Sequence, residues 1–406
     1  MNLQEEHINF IKNAFSKMKS KDDFLDLLNY SKKLIYGEKV VPFYIRHIDY
    51  HCDNKNTSTR YHQFSIKKKS GADRVIHSPN KGLKAIQKCL NLILQTIYDV
   101  NPSATGFVPG KSIVDNSKVH AGSFYVYNID LKDFFPSIEA GRISKRFQNP
   151  PFNLNKKTDR IALATIIARL SCQEMKVERI IDGHLKEVIR HVLPQGAPTS
   201  PTLTNIICQS LDYYLNAVAK QFGLKYSRYA DDITFSSIHN VYSKNCKIVY
   251  YKNENNFLQE LDRIITSQGF IIKESKTRLQ KQGYRQEVTG LIVNDKINVQ
   301  KRYIKQLRMW LYYWEHYGYE KANVYFLPQY NLNKAYTKKG QPNMVNVIAG
   351  KLDYLKMVKG DEDGTYLKLR ERFELVTASS CNLDVLLDIW EKEGIDKAID
   401  VFNHKY

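Results

Sequence analysis

Tyr229-Ala230-Asp231-Asp232 is the stretch on which the reading of this chain turns. Lys225 to Tyr229 before it and Ile233 to Ser237 after it are rich in strand-forming residues, so Asp231 and Asp232 fall at a hairpin tip. Adjacent carboxylates repel, and a tight turn keeps them together only at a cost. A divalent cation between them removes that cost, and hard oxygen donors of this kind suit magnesium. By itself the tetrapeptide reads equally as a solvated acidic turn, because aspartate is a common turn residue.

A second acidic position lies upstream. Phe124 to Ile129 is a β-rich run that ends at Asp130, and Leu131-Lys132-Asp133-Phe134-Phe135-Pro136 follows. An aspartate where a buried strand ends is placed to line a cleft, although Asp130 reads equally as a helix cap or a turn residue. Carboxylates on neighbouring strands can hold two metal ions about 3.5–4 Å apart, steadying the attacking and leaving oxygens of phosphoryl transfer. Between the two acidic sites, Leu193-Pro194-Gln195-Gly196-Ala197-Pro198-Thr199-Ser200-Pro201 is a stiff loop that offers backbone N–H groups and Gln195 to a ligand. It opens a helix, with Ser200 as N-cap and Pro201 as first residue; Leu203, Ile206, Ile207, Leu211 and Val218 share one face of it.

In this order the three elements resemble those of reverse transcriptases. Two further elements resemble the retron branch: Asn116-Ser117-Lys118-Val119-His120, with Ser117 where the retron pattern has Ala, and Val288-Thr289-Gly290. The likeness runs from about Tyr61 to about Phe373. It implies an α+β right-hand polymerase, with an antiparallel palm sheet and a helical thumb. Fingers and palm would occupy residues 1–298, the thumb 299–378, and a short helical extension 379–406. It implies that Asp130, Asp231 and Asp232 are catalytic and hold two magnesium ions. Lys68 and Arg74 would grip the triphosphate of a dNTP, and Gln195 and Tyr229 would line the nucleotide and primer end. Phe135, five residues after Asp130, would wall off the ribose 2′ position. Lys276 would stand near the leaving pyrophosphate. Asn116, His120, Val288, Thr289 and Gly290 are candidate RNA contacts; His120 and Gly290 read equally as a core histidine and a tight-turn glycine.

The implied partners are a cognate structured non-coding RNA, its branched single-stranded DNA product (msDNA), and a separate effector protein of anti-phage defence. The implied location is the bacterial cytoplasm. Rival readings are a group II intron maturase, an abortive-infection polymerase and a catalytically idle RNA-binding scaffold. The first expects a further domain after the thumb, for which residues 379–406 are short; the intact aspartates speak against the last.

Bulk composition agrees with a polyanionic partner. The 406 residues carry 61 Lys and Arg against 42 Asp and Glu, a net charge of +19. The 27 Tyr and 18 Phe supply faces that can stack unpaired bases as well as core. Six cysteines lie scattered with no CxxC spacing, which suits a reducing compartment. No secretory leader and no membrane-length apolar run is visible. His47, His51, Cys52 and His62 fit no standard zinc spacing and read as a polar surface loop.

The remaining chain sorts by pattern. Phe64 to Ile76 reads as a basic hairpin turning near Ser70-Gly71, and Lys81 to Tyr98 as an amphipathic helix. Gly106 to Ser112 suggests a loop near phosphates, without P-loop spacing. Arg142 to Arg190 reads as basic and largely helical, Phe257 to Gly269 as a helix followed by a strand, and Glu287 to Val299 as a hairpin. Beyond Gln300, Ile304, Leu307, Leu311 and Trp314 predict one helix, and Val345, Ile348, Leu352 and Leu355 another. Phe326 to Gln341 would be the loop between them.

Overall fold

A computed structural model describes residues 3–53, 57–67, 71, 73–182, 184–242, 256–332, 341–397 and 399. Lys68, a predicted triphosphate ligand, lies outside the described residues. The chain forms two compact units. One comprises Met1–Ile66, Asp73–Thr289 and Val293–Asp295; the other comprises Lys67–Ala72, Gly290–Ile292 and Lys296–Tyr406.

The strands described in the first unit include β1 (Tyr61–Lys67), β2 (Asp73–Pro79), β3 (Tyr125–Asp130), β4 (Gln173–Ile181), β5 (His184–Val192), β6 (Lys225–Tyr229), β7 (Asp232–Ser237) and β8 (Arg278–Lys281). Four of them form an antiparallel sheet in the order β6-β7-β3-β8. The central strand β7 is buried from Ile233 to Ser237, so both faces are covered and its side chains do not alternate in polarity. Phe257, at the start of helix Phe257–Ser267, meets Phe235 edge-on at 5.1 Å. Leu211, Leu215 and Val218 supply the buried stripe of helix Gln209–Gln221.

The helix after the Pro-Gln-Gly loop starts one residue earlier than expected, at Ser200, with Thr199 as cap. Ser200 instead donates its hydroxyl to the Pro194 carbonyl, at 2.7 Å. The single helical face predicted to Val218 is interrupted at Cys208, which separates Ser200–Ile207 from Gln209–Gln221.

The basic segment from Arg142 is less helical than predicted. Helices Ala140–Phe147 and Ile161–Ser171 are followed by β4 and β5, paired in register from Gln173↔Val192 to Ile181↔His184. The overlooked signal is Asp182-Gly183, a turn dipeptide that favours hairpins; Asp182 has φ 54°. His47, His51 and Cys52 lie on helix Ile45–Cys52 rather than in a polar loop, with His51 and Cys52 buried.

The second unit is helical. Lys301–Leu332 bends at Gly318 (φ 77°), and beyond the bend Phe326 returns to meet Trp310 edge-on at 4.8 Å. The chain from Phe326 is therefore helix as far as Leu332 rather than loop. Met344–Lys359 and Gly364–Glu393 complete the unit, burying Ile348, Leu352, Leu355 and Leu369. The last helix runs without a break through position 379, where a separate extension was predicted. Among the described residues no helix is long and apolar enough to cross a membrane.

Candidate active site: an acidic corner on a buried polar seam

The sheet brings the predicted aspartates together. Asp130 ends β3 directly opposite Asp232 at the start of β7, and the Leu131 N–H donates to the Asp231 carbonyl at 3.1 Å. Backbone donors anchor the other side: Lys273 N–H bonds the Asp130 carbonyl, and Lys132 N–H the Ile271 carbonyl, both at 2.8 Å. Residues Phe270 to Ile272 thus contribute one bridge, Leu131↔Ile272, rather than the predicted strand.

The three carboxylates are electrostatically strained. Burial and then the Asp130 charge push Asp231 above its ordinary value. Asp232 is raised to about 6, first by desolvation in the crowded corner and then by the charges of Asp231 and Asp130. Its own tip remains open to solvent. Asp130 is nearly buried, and one of its carboxylate oxygens accepts from the Lys276 ammonium at 2.5 Å. Burial opposes the Lys276 charge; its contacts with Asp130, Asp231 and Asp232 outweigh that, and its pKa is raised.

Among the described residues no three His, Cys, Asp or Glu side chains stand ready-spaced around an ion. The donor set nonetheless fits one. Three hard oxygen donors converge, their mutual repulsion is only partly relieved by Lys276, and a divalent cation is what such a set accepts.

The turn holding Asp231 is fixed from below by Arg228, Asp212 and Asn205, which no pattern in the sequence singles out. Ala230 takes a left-handed conformation (φ 57°), uncommon for a residue with a side chain. Arg228, fully buried, reaches under it. One guanidinium nitrogen donates to the Ala230 carbonyl at 3.1 Å; two others meet both oxygens of Asp212, each at 2.7 Å. Asp212 also accepts from Tyr226 and is itself fully buried. Asn205 joins Arg228 to the Gly106 carbonyl. A Cβ on Gly106 would stand 2.4 Å from the Ala230 nitrogen, so only glycine fits there. The glycine read as belonging to a phosphate loop serves close backbone approach instead.

The predicted nucleotide residues are placed as follows. The Gln195 carbonyl accepts from His77 N–H at 2.8 Å, tying the Pro-Gln-Gly loop to β2, the strand that carries Arg74. Arg74 is exposed, and its charge is among those that act on Asp231. Tyr229 pairs with Asp232 across the turn. Phe135 is half-buried, with its ring 5.6 Å from that of buried Phe134.

The predicted RNA contacts fare differently. Asn116, His120 and Val288 are fully buried, so their side chains have no surface to offer an RNA. His120 sits between Ser236 on Nδ1 (2.8 Å) and Ser227 on Nε2 (2.7 Å). Ser227 gives its proton to Asn116 Oδ1, and Ser123 gives its own to Ser236. The imidazole must therefore donate through Nε2 and accept at Nδ1. Burial holds it neutral, with a pKa lowered to about 3. The two retron-like elements also touch each other. Ser117 donates to the Val288 carbonyl at 3.0 Å and lies 3.2 Å from the Thr289 hydroxyl. The hydroxyl that distinguishes Ser117 from Ala makes this contact. Thr289 and Gly290, with φ 46° and 86°, form the turn that remains nearer the surface.

A four-stranded antiparallel sheet with aspartates paired at the ends of its two inner strands, and helices behind, is the palm of a template-copying polymerase. Residues 66–305 match the family described as Reverse transcriptase (RNA-dependent DNA polymerase), and the chain belongs to it. Its relatives include the retron Mx162 reverse transcriptase of Myxococcus xanthus, 36% identical over 59% of this chain and 48% of that protein. The retron Ec86 reverse transcriptase of Escherichia coli is 31% identical over 61% of this chain and 68% of its own length. The chain thus spans about half of the first relative and two thirds of the second, and bacterial retron reverse transcriptases are its kin. A telomerase of Candida albicans, solved with a TWJ fragment of telomeric RNA, is a remote likeness at 10% identity and a TM-score of 0.41. That match covers 84% of this chain and 60% of the other.

Proposed function

We propose that the protein is an RNA-directed DNA polymerase of the retron type. It binds a cognate structured non-coding RNA and copies part of it into single-stranded DNA. Synthesis starts from the 2′-OH of a guanosine in that RNA and leaves branched RNA-linked msDNA. The observation that carries the reading is the register of Asp130 against Asp232, with Asp231 bonded to the same strand end. Kinship with retron enzymes supplies the choice of template and primer.

In this reading Asp130, Asp231 and Asp232 hold two magnesium ions. Such ions lower the barrier to attack by a primer hydroxyl and neutralise the triphosphate. The chain's own residues do the rest. Arg74, with Lys68, grips phosphate oxygens from the basic hairpin. Gln195 and Tyr229 line the nucleotide and the primer end, and Phe135 bars a ribose 2′-hydroxyl. Lys276 is the proton donor to the leaving pyrophosphate, and Lys276→Ala then slows single-turnover incorporation. Fingers and palm would span residues 1–298, and a thumb at 299–378 would hold the template–primer duplex. A separate effector and a role in anti-phage defence follow from the same kinship.

The test is to purify the protein with its co-expressed nucleic acid and sequence what is bound. DNA joined through a branch to one RNA species supports the reading. Untemplated DNA, or RNA alone, overturns it.

A further inference from the structure

Phe107 is a bulky residue in the left-handed region, with φ 63°. That conformation is unfavourable for an L-residue and free for glycine. Phe107 is also 38% exposed, so burial in a core does not repay the strain. Strain held at a surface turn points to a job for the side chain that is strained.

The backbone around it is over-determined. Thr105 N–H donates to the Arg228 carbonyl at 2.9 Å, and Arg228 N–H to the Ser103 carbonyl at 2.8 Å. The Gly106 carbonyl is held by Asn205, and Gly106 itself lies against Ala230, one residue before Asp231. The next side chain along, Phe107, meets Phe135 with ring centroids 6.0 Å apart and planes inclined at 44°. Phe135 in turn leans on Phe134, and Phe134 on Phe270, which are 4% and 1% exposed. The result is a row of four rings. Its inner end is anchored in the core, and its outer end, Phe107, is clamped to the aspartate turn.

A wall rejects one hydroxyl only if it cannot yield. A phenyl ring supported on one side swings about χ1 and χ2 at little cost; a ring wedged between two others does not. We infer that Phe107 is a positioning residue for sugar specificity, wedging Phe135 against Phe134 so that the Phe135 ring cannot yield to a ribose 2′-hydroxyl. The inference rests on the proposed reading of Phe135.

The test is the ratio of kcat/KM for a dNTP to that for the matching rNTP, on a primed RNA template. The variants are Phe107→Gly, Phe107→Tyr, Phe135→Ala and the double substitution Phe107→Gly with Phe135→Ala. Glycine accepts φ 63° without strain, so Phe107→Gly removes the ring while relaxing the backbone. The expected result is a loss of discrimination of roughly 10-fold in Phe107→Gly. The loss comes from a rise in efficiency with rNTP, Phe107→Tyr retains the ratio, and the double variant is no less selective than Phe135→Ala. Unchanged discrimination in Phe107→Gly, with discrimination lost in Phe135→Ala, overturns the inference and leaves the Phe135 reading intact. Unchanged discrimination in both overturns the wall altogether, while DNA synthesis by both still stands for the polymerase.

Discussion

The acidic corner and the polar seam beneath it are neighbours built on opposite principles. At the corner, Asp130, Asp231 and Asp232 push one another's charge and are only partly relieved by Lys276, with Arg74 acting on Asp231 and Arg278 on Asp232. In the seam, Arg228 is matched to Asp212 and His120 to two serines, all out of solvent. The corner's unrelieved repulsion is where a cation and a substrate can be accepted. The seam has paired most of its polarity internally, the buried Asn116 Nδ2 excepted, and holds the corner in shape. Residues of similar polarity thus divide into reagents and scaffold according to whether the protein has already satisfied them.

The largest expected effect breaks the corner alone. Asp231→Asn should lower DNA synthesis at least ~10³-fold, about 4 kcal/mol of barrier, with RNA binding and folding intact. Retention of synthesis in primer-extension assays would remove Asp231 from the chemistry.

Breaking the seam should instead cost the fold. Arg228→Met strands Asp212 in the interior and should destabilise the protein by about 3–5 kcal/mol in denaturant titrations. Pairing it with Asp212→Leu should recover much of that stability. Synthesis should stay low, because the Ala230 carbonyl has lost its donor. A double variant with full activity would show that the turn needs no support from Arg228.

The two regions should also part under pH. His120 is neutral in the fold down to about pH 3. In the unfolded chain it gains a proton below about 6.5. The unfolded state then binds more protons, so stability falls as pH drops below about 6.5, by at most about 1.4 kcal/mol per pH unit. His120→Leu should flatten this acid limb of the melting curve; parallel limbs would mean that other groups set it.

Asp232 has the opposite sign. Its folded pKa of about 6 exceeds the ordinary 3.8, so its contribution is best at low pH and is lost as pH rises through 6. Asp232→Asn should therefore raise the melting temperature of metal-free protein at pH 7.5, by about 2 °C given its exposure, and hardly at all at pH 4. An equal gain at both values would trace the effect to something other than charge.

How much of this was legible follows the same division. The corner was readable because Asp231-Asp232 is local and Asp130 ends a strand-like run. The seam was not, because its meaning lies in distant pairings. Arg228 resembles any basic residue of a basic chain until Asp212, sixteen residues back, is placed beside it. His120 and Asn116 drew notice as family marks and were assigned to RNA; only burial shows them bonded to the sheet and to each other's partners. Gly106 was seen as a loop glycine, since nothing local reveals that Ala230 would press on its Cβ. The hairpin of β4 and β5 is a different case: Asp182-Gly183 announced it, and the surrounding charge distracted from the signal.

The most direct test is a crystal structure of the protein with manganese and a dNTP, read by anomalous scattering. The expected result is manganese shared by Asp130 and the 231–232 turn, with the Lys276 ammonium moved off Asp130. Saturating manganese with no peak there, Lys276 still bonded to Asp130, would contradict it.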